Sequence, residues 1–115
     1  MFTLKWTKTA QATYDDLMAQ AATVKERRKS KAKKKSSKQE GLLKQVEKTL
    51  RLLTANPKHP GLHTHEYDAI ENPYDKNQKV FEAYAQNDTP SAYRVFWCYG
   101  PKKGELTIIA TTPHP

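Results

Sequence analysis

The stretch YRVFWCY, Tyr93–Tyr99, decides how this chain folds, together with LTIIATT, Leu106–Thr112. Both are runs of aromatic and β-branched residues, which favour β-strands. Residues 100–105 between them contain two glycines and a proline and predict a turn. Because both runs are apolar on both faces, we expect two central strands of a sheet that helices cover on one side and that is partly closed on the other.

Arg94 is the one charged side chain within the first of these runs. A buried guanidinium without a partner is too costly to retain, so it must reach water, a carboxylate or a phosphate. A salt bridge to Glu82 or Glu105 and a role in binding a ligand both satisfy this requirement. The sequence leaves these two interpretations open.

The N-terminal half predicts a strand followed by two helices. Residues 2–6 alternate between apolar and polar, as a half-buried strand does, and Thr7 or Thr9 can cap the helix that follows. A capping-box pattern at Ser37–Glu40 starts the second helix, and Asn56-Pro57 ends it. The apolar face of the first helix is Tyr14, Leu17, Met18, Ala21 and Val24. That of the second is Leu42, Leu43, Val46, Leu50 and Leu53.

The C-terminal half adds three strands. Residues 58–79 are rich in turn formers, residues 80–85 form the next strand, and the two central runs follow. We therefore predict an α+β fold in one domain, residues 1–115. It consists of an N-terminal strand, an antiparallel helical hairpin and a three-stranded antiparallel run, with the helices on one face of the sheet. The side chains expected to be buried between the helices are Leu17, Val24, Val46 and Leu50.

The net charge of +8 is concentrated in one segment, residues 25–38, which alone carries +8 while the remainder of the chain is neutral. Such a patch favours a polyanion as partner, and nucleic acid is the commonest polyanion in a cytoplasm. A solvated helix turn with no specific partner is the alternative. The candidate RNA-binding residues are Lys25, Arg27, Arg28, Lys29, Lys31, Lys33, Lys34, Lys35 and Lys38.

The rest of the composition predicts a cytoplasmic protein with no membrane partner. No stretch approaches the about 20 apolar residues of a membrane span, and residues 1–6 lack the apolar core of a signal peptide. The single cysteine, Cys98, excludes an internal disulfide and fits a reducing compartment. Within a predicted strand, it is expected to be a small core residue.

Five segments in this order resemble the RelE/ParE superfamily of toxins, and its RelE and YoeB branch most of all. They are Phe2–Thr7, the helix around Tyr14–Leu17, Val80–Tyr84, Tyr93–Trp97 and Leu106–His114. Members of this branch are toxins of bacterial type II toxin–antitoxin systems and cut messenger RNA, usually on the ribosome. The resemblance implies the same fold and activity, with no cofactor.

The resemblance also implies individual site residues. Arg94 matches the arginine that lies beside the scissile phosphate, and His114 matches the residue that acts as general acid in the YoeB branch. The glutamate that serves as base in that branch has no counterpart near Pro60, and a basic residue found in many relatives is replaced by Tyr84. The plausible replacements nearby are His59, His63, His65 and Glu82.

Metal-independent RNA cleavage needs a base for the 2′-hydroxyl, a cation for the phosphorane and an acid for the leaving oxygen. Arg94 suits the second role and His114 the third, whereas the base is assigned to His63 or His65. An antiparallel register of the last two strands would place Arg94 and His114 at the same edge. A zinc site built from His59, His63, His65 and His114 is a weaker alternative, because the sequence supplies no cysteine partner.

Three functions remain open at this stage. The first is an mRNA endoribonuclease that represses translation, with mRNA, ribosomal RNA and an acidic, partly disordered antitoxin as partners. The second is a module of the same fold that binds RNA or an antitoxin without cleaving. The third, a gyrase inhibitor like members of the ParE branch, has no individual residue in its favour.

Overall fold

The computed structural model describes residues 1–30, 38–87 and 92–113. The elements in chain order are β1 (Thr3–Trp6), α1 (Lys8–Ser30), α2 (Lys38–Ala55), a 3-10 helix (Pro60–Leu62), β2 (His65–Glu66), β3 (Phe81–Tyr84), β4 (Tyr93–Tyr99) and β5 (Glu105–Pro113).

The strands form one five-stranded sheet in the order β1-β5-β4-β3-β2. β1 runs parallel to β5, because the helical hairpin carries the chain back across the sheet, and the other pairs are antiparallel. The two apolar runs form β4 and β5, and β4 is the middle strand. The α+β prediction is therefore confirmed.

The 3-10 helix and one strand were missed. Three strands were predicted after the hairpin, but a two-residue strand, β2, precedes them and pairs with β3 through His65 opposite Glu82. Two residues are too few to show an alternating pattern, so the turn-rich sequence hides this strand.

The ends of the helices follow the local signals. Thr7, rather than Thr9, caps α1: its Oγ1 accepts a hydrogen bond from the Ala10 amide at 3.1 Å and donates to the carbonyl of Ile109 at 2.8 Å. α2 ends at Ala55, two residues before Pro57, as predicted. The proposed capping residue Ser37 lies outside the described residues.

Both helices pack on one face of the sheet and share one hydrophobic cluster with it. Leu17, Val46 and Leu50 are buried as expected, whereas Val24 is only half-buried and Met18 is exposed. Burial along α1 continues past Met18 to Ala21, which is buried, and has weakened by Val24. Met18 therefore lies at the side of the buried face, whereas Val24 lies where the buried part of the helix ends.

None of the helices within residues 1–30, 38–87 and 92–113 is both long and apolar enough to cross a membrane.

Candidate functional site

The side chains of β3 alternate between the two faces of the sheet. Ala83 points into the core beneath the helices, so its neighbours Glu82 and Tyr84 point to the opposite face. Tyr84 lies opposite Arg94 of β4, and Glu82 lies opposite His65 of the edge strand β2. The register thus brings together three predicted site residues, Arg94, Glu82 and His65, around Tyr84.

Arg94 is 8% exposed, and most of its guanidinium is occupied by the protein. Nη1 donates to the carbonyl oxygens of Gln86 and Tyr93, and Cζ lies 3.6 Å from the centroid of the Tyr84 ring. Nε lies 3.9 Å from Glu82 Oε2, too far for a hydrogen bond, and is buried without an acceptor among the described residues. Nη2 makes no hydrogen bond within the same ranges, so it is the end of the side chain that can contact a phosphate.

His65 and Glu82 form a short ion pair, with Nε2 2.6 Å from Oε1. Nδ1 of His65 lies 3.1 Å from the carbonyl of His63, and a carbonyl can only accept, so Nδ1 carries a proton. Nε2 faces a carboxylate oxygen, so a second proton must lie in that contact. Glu82 is 1% exposed, so the pair lies largely within the protein on the carboxylate side. His65 therefore has no nitrogen free to accept a proton in this arrangement.

His63 differs from His65 in the contacts of its ring nitrogens. It is exposed, its imidazole lies 5.4 Å from the Tyr84 ring, and its ring nitrogens make no hydrogen bond to any residue that the structure describes. Its backbone is left-handed, with φ of 49°, a conformation that is sparsely populated for residues other than glycine. The turn after the 3-10 helix imposes this geometry and holds the imidazole beside the cluster.

The remaining histidines are placed differently. His59 accepts a hydrogen bond from the Gly61 amide at 2.9 Å and caps the 3-10 helix, apart from the cluster. His114 lies outside the described residues. The residue before it, Pro113, pairs with Tyr93, so the end of β5 lies beside the start of β4, where Arg94 is located. Among the described residues, no three His, Cys, Asp or Glu side chains are close enough together to hold a metal ion.

The basic segment is described only at its two ends. Lys25, Arg27, Arg28 and Lys29 lie at the C-terminal end of α1, where cations interact favourably with the helix dipole. Lys38 begins α2, and the other four predicted residues, Lys31, Lys33, Lys34 and Lys35, lie outside the described residues. Arg28 is engaged with Glu40 of α2 at 3.1 Å and so contributes to the helical hairpin.

Tyr84 was not identified as a site residue from the sequence. It was noted only because it replaces a basic residue that is found in many relatives. Its ring contacts Arg94, His63 and His65, with the His65 imidazole edge-on at 5.6 Å. The usable signal was its position at the end of β3, from which a hairpin to β4 places it opposite Arg94. An aromatic residue across from a lone strand arginine predicts a cation–π contact.

No protein-family model matches this sequence, and no curated protein matches it. Two solved structures are similar. The YoeB/ParE toxin from Agrobacterium tumefaciens aligns over 98% of this chain and 99% of its own, with a TM-score of 0.59 and 10% identity. A copper-bound mutant toxin from Helicobacter pylori aligns over 99% and 96%, with a TM-score of 0.48 and 19% identity. The alignment with the Agrobacterium toxin covers nearly the whole chain, from β1 to β5, so this chain has the same fold as that toxin.

Proposed function

We propose that this chain is the toxin of a type II toxin–antitoxin system and that it cleaves messenger RNA without a metal, on the ribosome. The observation that supports this most is the cluster around Tyr84. Arg94 and His63 both contact the Tyr84 ring, on the face of the sheet opposite the helices. Nη2 of Arg94 and both ring nitrogens of His63 make no hydrogen bond to any described residue, so they are available to a substrate.

In the proposed reaction, His63 takes the proton of the 2′-hydroxyl, and the 2′-oxygen attacks the adjacent phosphorus. The bond from phosphorus to the 5′-oxygen breaks, and the leaving oxygen takes a proton from His114. The products are a 2′,3′-cyclic phosphate and a 5′-hydroxyl. Arg94 Nη2 stabilises the extra negative charge of the phosphorane, the role in which a fixed cation contributes most.

His65 and Glu82 act as supports in this scheme. Their short contact fixes the β2 edge against β3. The hydrogen bond from His65 Nδ1 to the carbonyl of His63 holds the turn that carries the proposed base. Glu82 also lies beside Arg94, which keeps a compensating charge near the buried guanidinium.

The basic segment, residues 25–38, supplies the proposed grip on mRNA and ribosomal RNA, and the same charge suits an acidic antitoxin. Replacing Lys33, Lys34 and Lys35 by Gln should weaken binding of all RNA sequences about equally. It should also flatten the dependence of log K on log salt by up to about three units, one for each lost phosphate contact. An unchanged salt slope would assign the segment to solvent or to the antitoxin alone.

The second candidate is a module that binds RNA or an antitoxin without cleaving. It is favoured because Arg94 Nη1 and both ring nitrogens of His65 already contact other groups of the protein. The missing glutamate near Pro60 points the same way.

Single-turnover cleavage of mRNA on programmed ribosomes decides between these functions, with growth arrest on induction as the cellular counterpart. We expect fragments that end in a 2′,3′-cyclic phosphate. Retained RNA binding without fragments would favour the binding module. Inhibition of DNA supercoiling by gyrase without RNA cleavage would instead favour the ParE-like function.

A further inference from the structure

A second concave site lies next to the cluster, on the helix side of the same sheet edge. It has a volume of about 390 Å³, within the range of about 300–1,000 Å³ that is usual for small-molecule sites. Its walls include Lys58, His63, Thr64, Phe81, Trp97 and Tyr99. His63 belongs to both sites, so a chain molecule bound at one can continue into the other.

Three aromatic rings form one wall of this pocket. Phe81 and Trp97 are cross-strand partners whose rings stack with centroids 4.8 Å apart, and Tyr99 meets Trp97 edge-on at 5.0 Å. Trp97 is 1% exposed, as in an ordinary core, but Tyr99 is 43% exposed. An aromatic wall with an exposed outer ring offers a planar ligand a surface on which to stack.

Two polar atoms of the pocket walls lack partners. The indole Nε1 of Trp97 and the hydroxyl of Thr64 are both buried, and neither has a hydrogen-bond partner among the described residues. A buried donor without an acceptor is destabilising, and buried indole N–H groups usually find one. Both unpartnered atoms belong to residues that line one pocket, and because both are buried, a ligand with polar atoms on its edge reaches them only when the pocket wall shifts to admit it.

The pocket rim is positively charged. Lys58 is exposed there, and the hydrogen bond from its amide to the side chain of Asn56 fixes the backbone of the loop that carries it. An exposed tyrosine ring, unpartnered polar groups and a cation at the mouth together match the three parts of a nucleotide: base face, base edge and phosphate. An aliphatic side chain of a protein partner would use only the aromatic wall of the pocket.

We propose that this pocket binds one base of a single-stranded RNA, next to the phosphate that is held at the Tyr84 cluster. The base stacks on the exposed ring of Tyr99, whose plane is perpendicular to that of Phe81, and Lys58 contacts the neighbouring phosphate. A shift of the pocket wall on binding lets the edge of the base accept a hydrogen bond from Trp97 Nε1, which is buried in the free protein. This inference rests on the proposed function for its substrate class, and it assigns to the pocket the choice of which base is bound beside the cut.

The test is nucleotide binding, measured without any cleavage. The chain has two tryptophans, so Trp6→Phe, which keeps the ring that stacks on Tyr14, leaves Trp97 as the sole reporter. The probes are the four nucleoside 5′-monophosphates, with ribose 5-phosphate as the control that lacks a base. We expect saturable quenching of Trp97 fluorescence by at least one nucleotide at millimolar concentration and none by ribose 5-phosphate.

Variants locate the binding. Tyr99→Ala should weaken the nucleotide that binds best by about five- to tenfold, because stacking on an aromatic side chain is lost. Tyr74→Ala is the matched control, since Tyr74 is a similarly exposed tyrosine, at 50%, that does not line the pocket. Should Tyr99→Ala fail to fold by circular dichroism, Lys58→Gln replaces it. It should reduce affinity for a short RNA and lower the salt slope by about one unit.

Several results would overturn the proposal. They are the absence of nucleotide binding up to about 10 mM, equal binding of ribose 5-phosphate, and equal affinity of the Tyr99→Ala and Tyr74→Ala variants. Tighter binding of N-acetyltryptophanamide than of every nucleotide would assign the pocket to a protein side chain. The nucleotide-binding assay measures Trp97 fluorescence and requires no RNA cleavage. A failure of the proposed cleavage would therefore not count for or against this pocket.

Discussion

Two arginines of this chain pair with buried glutamates, and they do so differently. Arg28 reaches from α1 to Glu40 of α2, and its Nε and Nη2 lie within 3.3 Å of carboxylate oxygens. Arg94 lies in the middle strand, and its Nε is 3.9 Å from Glu82. Both carboxylates are buried, at 7% and 1% exposure, so burial alone does not account for the difference.

The comparison separates two uses of the same residue types. At the hairpin, the carboxylate takes up the Nε edge of the guanidinium, as in a pair that fixes one helix against another. At the sheet edge, backbone carbonyls and an aromatic ring hold the guanidinium in place, and Nε and Nη2 keep unused hydrogen-bonding capacity within the described part of the chain. The first arrangement stabilises the fold, and the second suits a ligand.

The largest expected effect is at Arg94. Arg94→Ala should lower the single-turnover cleavage rate by about 10² to 10³, because a fixed cation no longer faces the developing phosphorane charge. Arg94→Lys keeps the charge but not the planar fork, so it should remain folded and still lose most of the activity. Arg51→Ala is the control, since Arg51 is an exposed arginine of α2 outside the basic segment, and it should cleave at about the wild-type rate. Equal rates for all three variants would remove Arg94 from the site.

The two histidines of the cluster should differ in the same way. His63→Gln should lower the cleavage rate by about 10² and remove one limb of the pH–rate profile, because the proposed base is lost. His65→Gln should cost less than about tenfold and keep both limbs, since His65 acts through the position of its neighbours. The measurement is the pH dependence of single-turnover cleavage. A larger loss at His65 would reverse the two roles.

The hairpin pair should affect stability instead of activity. Arg28→Ala should lower the free energy of unfolding by about 2 kcal/mol, because the buried Glu40 loses the hydrogen bonds from the guanidinium of Arg28. Urea denaturation measures this loss, and Lys29→Ala on the same exposed helix end is the control, expected within about 0.5 kcal/mol of wild type. A loss no larger than that of the control would show that water can replace Arg28.

The smallest effect concerns a third buried group, which unlike both arginines has no charged partner to offset its burial. Burial raises the pKa of the Cys98 thiol from 9.0 to about 11. The unfolded chain therefore loses this proton at lower pH than the folded chain, so the stability contribution is complete below about pH 9 and falls as the pH rises from there towards 11.

The difference in unfolding free energy between wild type and Cys98→Ala isolates this contribution from the titrating tyrosines and lysines. The wild-type advantage should shrink by about 1 kcal/mol between pH 8 and pH 10. A difference that does not change with pH would mean that the thiolate is accommodated in the folded state.

Much of the fold could be predicted because its signals are local. The runs at Tyr93–Tyr99 and Leu106–Thr112 became β4 and β5, the threonine cap began α1, and Asn56-Pro57 ended α2. Periodicity also identified most of the buried helix positions, but it placed Val24 in a core that ends before the helix does. A sequence pattern shows which face of a helix is apolar, and it does not show how far the partner surface extends.

The candidate site was predictable as a set of residue types and not as an arrangement. Arg94, Glu82, His63 and His65 could each be singled out, since charged and imidazole groups near apolar strands need partners. The hydrogen-bond partners of these side chains could not be predicted, because they depend on His65 facing a carbonyl on one side and Glu82 on the other. Those contacts form only when the chain after β2 returns to place β3 beside it.

The sequence by itself therefore determined the elements, the strand order near the C-terminus and the concentration of positive charge. The elements and the strand order depend on residues that are close in sequence, and the concentration of charge depends only on the number of charged residues in each segment. Only the tertiary structure decided that Arg28 is engaged while Arg94 keeps open nitrogens, that Tyr84 lies at the centre of the cluster, and that Trp97 and Thr64 line one pocket. These features arise from register between distant segments, where a shift of one residue would move every side chain to the opposite face.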